Sequence, residues 1–134
     1  MAELVVEQLL AAMNAHDINA FVALFHEEYA SEQPAHPDRA FHGSDQVRRN
    51  WSAIFEGAPD FRAELVRAGA DGGTEWSEWA WQGTHEDGTS LDMAGVIVFG
   101  VRDGRFAWAR LFVEQVEREG AGIEAAVRRM TGDE

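Results

Sequence analysis

The sequence predicts an α+β fold, with helices first and a strongly bent antiparallel meander of strands after them. Apolar residues recur at helical spacing in the first part of the chain. Long runs rich in β-branched and aromatic residues fill the rest, separated by the turn signals GADGG, EDG and RDG. Helices first and strands afterwards is the α+β order.

Taken in order, Leu4, Val5, Leu9 and Met13 mark the inward stripe of a first helix. Asp17 is placed to cap a short second helix with Phe21, Val22 and Phe25 inward. An extended piece follows from Tyr29 to Gln33, then a loop through Pro34 and Pro37 to His42. After Gly43 and Ser44, the residues Val47, Trp51, Ile54 and Phe55 fall at i, i+4, i+7 and i+8, and Gly57 with Pro59 stops this third helix. Phe61 to Ala70, Thr74 to His85, Ser90 to Val101 and Arg105 to Glu117 read as a meander of bent strands. Ile123, Val127 and Met130 suggest a short helix in a C-terminal extension over residues 118–134, and residues 1–134 are expected to form a single domain.

Composition excludes several function classes. A chain of 134 residues, 46% hydrophobic and 26% charged, is globular and can bury a core. A formal net charge of −13 repels phosphate backbones and anionic membrane surfaces, so neither nucleic acid nor membrane is expected as a partner. All 11 basic residues are arginine, which rules out a lysine Schiff base, and the absence of cysteine removes disulfides and thiolate chemistry. Glu3 and Glu7 interrupt the first apolar pattern, unlike a signal peptide, and no run reaches the length of a membrane span, so a cytoplasmic protein is expected.

The order of these elements, with HDINAF between the first helices, AFHGSDQVRRNW entering the third, WQGTHEDG at a hairpin and VRDGRFAWARLFVEQVE in the last strand, resembles the nuclear transport factor two-like superfamily on its SnoaL-like side. The resemblance implies a cone over residues 1–117, a curved sheet around a helix-lined cavity, and a homodimer formed through the outer face of the sheet. It also implies a range of activities, from ketosteroid isomerases, polyketide cyclases, epoxide hydrolases and dehydratases to binding modules without catalysis. At the positions resembling the isomerases' proton-shuttling aspartate, oxyanion-hole tyrosine and oxyanion-hole aspartate, this chain has Gln33, Leu9 and Gly95. Leu111 stands where the cyclases carry their acid/base aspartate, and a leucine exchanges no proton. The epoxide hydrolases' Asp-Arg-Asp arrangement is not reproduced either.

Strand parity then divides the meander into faces. A two-residue turn at Asp87 and Gly88 pairs Gln82 with Met93 and Trp81 with Ala94; a three-residue turn over Arg102 to Gly104 pairs Ile97 with Ala109. One face then holds Ala80, Gln82, Met93, Gly95, Ile97, Ala109, Leu111 and Val113 and suits a cavity wall. The other holds Trp79, Trp81, Val96, Val98, Trp108, Arg110, Phe112 and Glu114, too apolar to stay wet on a monomer. A homodimer through Trp79, Trp81, Trp108 and Phe112 follows, with Arg110 and Glu114 as an ion pair across it. The alternative is that the C-terminal helix covers this face within one chain.

Candidate catalytic residues are Glu32 and His42, a carboxylate and an imidazole on and after the short strand, with His36 nearby. Candidate ligand contacts are Gln33, Trp51, Phe55, Gln82, Met93, Ile97, Leu111 and Val113. Tyr29 reads as core more than as a hydrogen-bond donor into the pocket. His26, Glu28, Glu32, His36 and His42 match no metal-ligand spacing, so neither metal nor other cofactor is expected. The chain thus reads as a binder of a small hydrophobic molecule, the alternative being a cofactor-independent isomerase, cyclase, dehydratase or hydrolase working by proton transfer. The missing acid/base positions favour the first.

Overall fold

The computed structural model describes residues 3–132. Its helices are α1 (Val5–Ala15), α2 (Ile18–Val22), α3 (Ser44–Gly57) and α4 (Ile123–Met130). Its strands are β1 (Phe25–Glu32), β2 (Phe41–His42), β3 (Arg62–Asp71), β4 (Thr74–Thr84), β5 (Ser90–Arg102) and β6 (Arg105–Gln115).

Helix α1 buries Val5, Val6, Leu9, Ala12 and Met13, the stripe its spacing predicts. Its N-terminus is held from the sheet: the buried Glu75 carboxylate of β4 accepts the backbone N–H groups of Val5 at 2.8 Å and Val6 at 2.9 Å, donors that the helix itself leaves unpaired. At the other end Asn14 clasps the backbone of β3, donating to the Ala63 carbonyl at 2.9 Å and accepting the Ala63 N–H at 2.7 Å. Asp17 caps α2 as expected, its Oδ1 accepting from the Ala20 N–H at 3.1 Å.

The sheet has six strands in the order β2-β1-β6-β5-β4-β3. β3 to β6 form the predicted antiparallel meander, but β1 runs parallel to β6, so the sheet is mixed and not wholly antiparallel. Only strands joined by a hairpin must be antiparallel; β1 and β6 are separated by α3 and the intervening strands, which leaves the direction free. Helix α1 packs on β3 and β4, and α3 on β1, so the core lies in the concavity between helices and sheet.

Register is where expectation and structure part. β4 and β5 close at Thr84 and Ser90, with His85 to Thr89 as the loop. That loop is organised by Asp87, whose Oδ1 accepts from the Thr89 N–H at 3.0 Å and the Thr89 hydroxyl at 2.6 Å. Trp81 therefore pairs with Met93 and Trp79 with Gly95, one residue off the expected pairing, and a one-residue slip turns every side chain of β4 to the opposite face. Trp79 and Trp81 point inward and are 1% and 8% exposed, which overturns their assignment to a subunit interface. β5 and β6 keep their expected faces although their register also differs. A two-residue turn with Asp103 and Gly104 both at positive φ replaces the three-residue turn, and a bulge after Gly100 adds a second displacement. Ile97 pairs with Leu111 instead of Ala109, a shift of two residues that preserves parity.

Gly95 is fixed by space. A Cβ there would lie 2.0 Å from the Phe112 carbonyl oxygen and 2.7 Å from Val113 Cα, so only glycine lets β5 and β6 approach this closely. Helix α4 lies past the meander with Ile123, Val127 and Met130 exposed, so it does not cover the outer face of the sheet within its own chain.

Candidate ligand-binding site

A cavity of about 180 Å³ opens between the helices and the inner face of the sheet. Helix α1 contributes Leu9 and Met13, α2 Phe21, and α3 Val47, Asn50, Trp51 and Ile54. The sheet contributes Phe25, Tyr29 and Ser31 from β1, Trp81 from β4, Ile97 and Phe99 from β5 and Leu111 from β6. Trp51 and Trp81 meet edge to face at 5.3 Å, and Trp51 also packs on Phe21 at 4.7 Å, geometry that favours a rigid aromatic wall.

The polar groups in this wall are hydroxyls, amides and two indoles, with no carboxylate, imidazole or guanidinium among the described lining residues. Burial pushes the Tyr29 phenol well above its usual range, with a hydrogen bond from Ser31 acting the other way. It therefore stays neutral. The paired inner-face tryptophans differ in one respect. The Trp79 N–H donates to the Ser77 hydroxyl at 2.8 Å, which in turn donates to the Ile97 carbonyl at 2.8 Å. The Trp81 N–H is buried without a partner among the described residues, a state that costs about 1–3 kcal/mol.

Two amides on the wall are oriented from outside it. Arg39 donates to Gln33 Oε1 at 2.9 Å. Arg49 donates to Gln46 Oε1 at 2.7 Å, and Gln46 Nε2 donates to Asn50 Oδ1 at 2.7 Å. A guanidinium can only donate, so each chain has one polarity and the oxygen of each amide is the atom engaged.

Of the ligand contacts expected from sequence, Gln33, Trp51, Ile97 and Leu111 line the cavity. Phe55, Met93 and Val113 pack in the core beside it: Phe55 stacks on His16 at 4.6 Å and Val113 sits opposite Gly95. Gln82 is exposed on the outer face, carried there by the β4 slip. Glu32 and His42 are displaced for the same kind of reason. Ser31 faces inward, so Glu32 beside it faces out, where its Oε1 accepts from Arg110 at 2.7 Å. Phe41 pairs with Ser31 and lines the cavity, so His42, which pairs with Ala30, is exposed on the far side. Neither reaches the cavity, and a base at either position is corrected to a surface residue. Within the chain, Arg110 pairs with Glu32 and His36 Nε2 lies 2.9 Å from Glu114, so each of the two residues already has an intrachain partner. Among the described residues no three histidine, aspartate or glutamate side chains gather closely enough to hold a metal ion.

Among the lining residues not expected as ligand contacts are the polar-bearing Trp81, Asn50 and Ser31, with Tyr29 read as core. Asn50 stands four residues after Gln46 on α3, one turn before Ile54 on the inward stripe, and that position was the available signal. On the outer face, Trp76 is 52%, Trp108 38% and Phe112 45% exposed, an apolar patch around the half-exposed Val96. Among the described residues no helix is long and apolar enough to cross a membrane.

A family model described as SnoaL-like domain matches residues 6–109. The fold is similar to that of a protein with a ketosteroid isomerase-like fold from Catenulispora acidiphila in complex with trimethylamine: TM-score 0.70, 14% identity, covering 82% of this chain and 85% of that one. It is similar to an LEH-like epoxide hydrolase of M. tuberculosis at TM-score 0.70 and 20% identity, over 82% of this chain and 80% of that one. It is also similar to IdmH of Streptomyces antibioticus, a proposed polyketide cyclase, at TM-score 0.71 and 18% identity, over 82% and 89%. At these identities the likeness is one of fold. No curated protein matches the sequence.

Proposed function

The chain belongs to the SnoaL-like domain family, and from that premise we propose that it binds a small, mostly apolar molecule in the cavity between α1, α3 and the inner sheet face. The observation that carries this reading is the cavity wall itself: hydrocarbon and aromatic rings, interrupted by hydroxyls, amides and two indole N–H groups, with Glu32 and His42 turned away from it. An acid/base mechanism needs a titrating group within reach of the ligand, and the phenol of Tyr29 is held neutral. A cavity near 180 Å³ suits a single ring, since apolar cavities of about 150 Å³ take up benzene. Homodimerisation through Trp76, Trp108 and Phe112 and residence in the cytoplasm belong to the same proposal, the first supported by the exposed patch.

Calorimetric titration with benzene tests the binding site. Saturable one-to-one binding that disappears in Leu111→Trp, where the larger side chain fills the cavity, supports the proposal. Absence of saturable binding to the parent chain, or equal binding to Leu111→Trp, contradicts it.

A further inference from the structure

From the orientation of the cavity amides we infer that the site selects a neutral ring compound bearing a hydrogen-bond acceptor, above all a carbonyl. This rests on the reading of the cavity as a binding site and specifies its ligand. The Gln33 oxygen is taken by Arg39 and the Asn50 oxygen by Gln46, itself fixed by Arg49. Each amide thus offers two N–H donors with no acceptor among the described residues, against one lone pair left on its oxygen. Trp81 adds a buried indole N–H in the same condition, and the neutral Tyr29 phenol carries a hydroxyl hydrogen that it can give. The free capacity of the wall is thus mainly donor.

The charge of the ligand follows from the same wall. No arginine lines the cavity, so a carboxylate or phosphate would lose its water without gaining a counter-charge. A cation would find aromatic faces but no carboxylate to neutralise it among the described lining residues. An alcohol could accept from the same donors, but its own hydrogen would then need an acceptor in a wall that offers few. A ketone, aldehyde or ester offers lone pairs and no charge, which the wall can satisfy. Arg39 and Arg49 act at a distance, as positioning residues that keep the amide oxygens turned away from the ligand.

Acetophenone and α-methylstyrene form a matched pair, since the second replaces the carbonyl oxygen of the first by a methylene of similar shape. An apolar site without donors favours the hydrocarbon, because the ketone gives up its hydrogen bonds to water on entry. The inference predicts the reverse, a preference for acetophenone of about threefold to tenfold, the equivalent of one net hydrogen bond. Asn50→Leu, and the shape-preserving Asn50→Asp, should abolish that ratio. Arg49→Met should lower it, since Gln46 is then free to turn over, and Arg49→Lys should restore it because an ammonium also only donates. Equal or tighter binding of α-methylstyrene to the parent chain overturns the inference and leaves the binding site standing. Binding of neither compound overturns both, and an undiminished ratio in folded Asn50→Leu or Asn50→Asp overturns the inference.

Discussion

Tyr29 is the only tyrosine of the chain, so its ionisation can be followed without interference. Its phenol is raised by burial, which means that the unfolded chain releases this proton first. Stability contributed by the neutral phenol is therefore complete below about pH 10 and is lost as pH rises beyond it. In an alkaline titration, tyrosinate absorbance should appear only together with loss of the near-ultraviolet signal of the packed tryptophans. Tyrosinate forming near pH 10 in a folded protein would place Tyr29 in contact with solvent and remove it from the cavity wall. The two inner-face tryptophans give a second residue-scale contrast: one chemistry, two conditions. Trp79 is satisfied by Ser77 and belongs to the framework, whereas Trp81 keeps an unused donor beside the cavity.

At the scale of elements, the strand parities decide what the cavity contains. The helices, the long strands and the turn positions are legible in the sequence because periodicity and glycine-rich turns report them directly. Parity is not, because it depends on how many residues a loop spends. Asp87 draws Thr89 into the loop after β4 and moves the pairing by one, which puts Trp81 inside and Gln82 outside. At the next hairpin the turn and a bulge each shift the register by one, and Leu111 keeps its inward side. For the same reason Gln33, Trp51, Ile97 and Leu111 were recoverable from sequence, and Glu32 and His42 were misplaced: which member of a pair such as Glu32 and Gln33 faces in is set by where β1 ends. Gly95 is a point of close backbone approach between β5 and β6. Gly95→Ala should destabilise the fold by about 2–4 kcal/mol, within the range for overpacking plus backbone strain, read as a lowered denaturant midpoint. Unchanged stability would mean that β5 and β6 do not approach as closely at this position.

On the scale of the molecule, an apolar outer face coexists with a net charge of −13. In the proposed dimer the patch around Trp108 and Phe112 would face a second copy, and the charge would oppose that contact. Because repulsion between like-charged bodies is screened by salt, dimerisation should strengthen as salt is added, and Phe112→Glu should leave a folded monomer that still binds benzene. Sedimentation equilibrium measures both. A monomer at every salt concentration, or a dimer unaffected by Phe112→Glu, would contradict this assignment of the face. The ion pairs at its border, Arg110 with Glu32 and His36 with Glu114, are largely exposed and contribute little to stability by themselves.

Everything assigned to the cavity depends on which tryptophans surround it. The five indole N–H groups give separate nitrogen-15 resonances, each identifiable by substitution of its tryptophan. In a titration with benzene, the resonances of Trp51 and Trp81 should shift together and saturate at one equivalent, while those of Trp76 and Trp108 stay in place. Shifts at Trp76 and Trp108 with Trp81 unmoved would locate binding on the outer face and reverse the sidedness of β4.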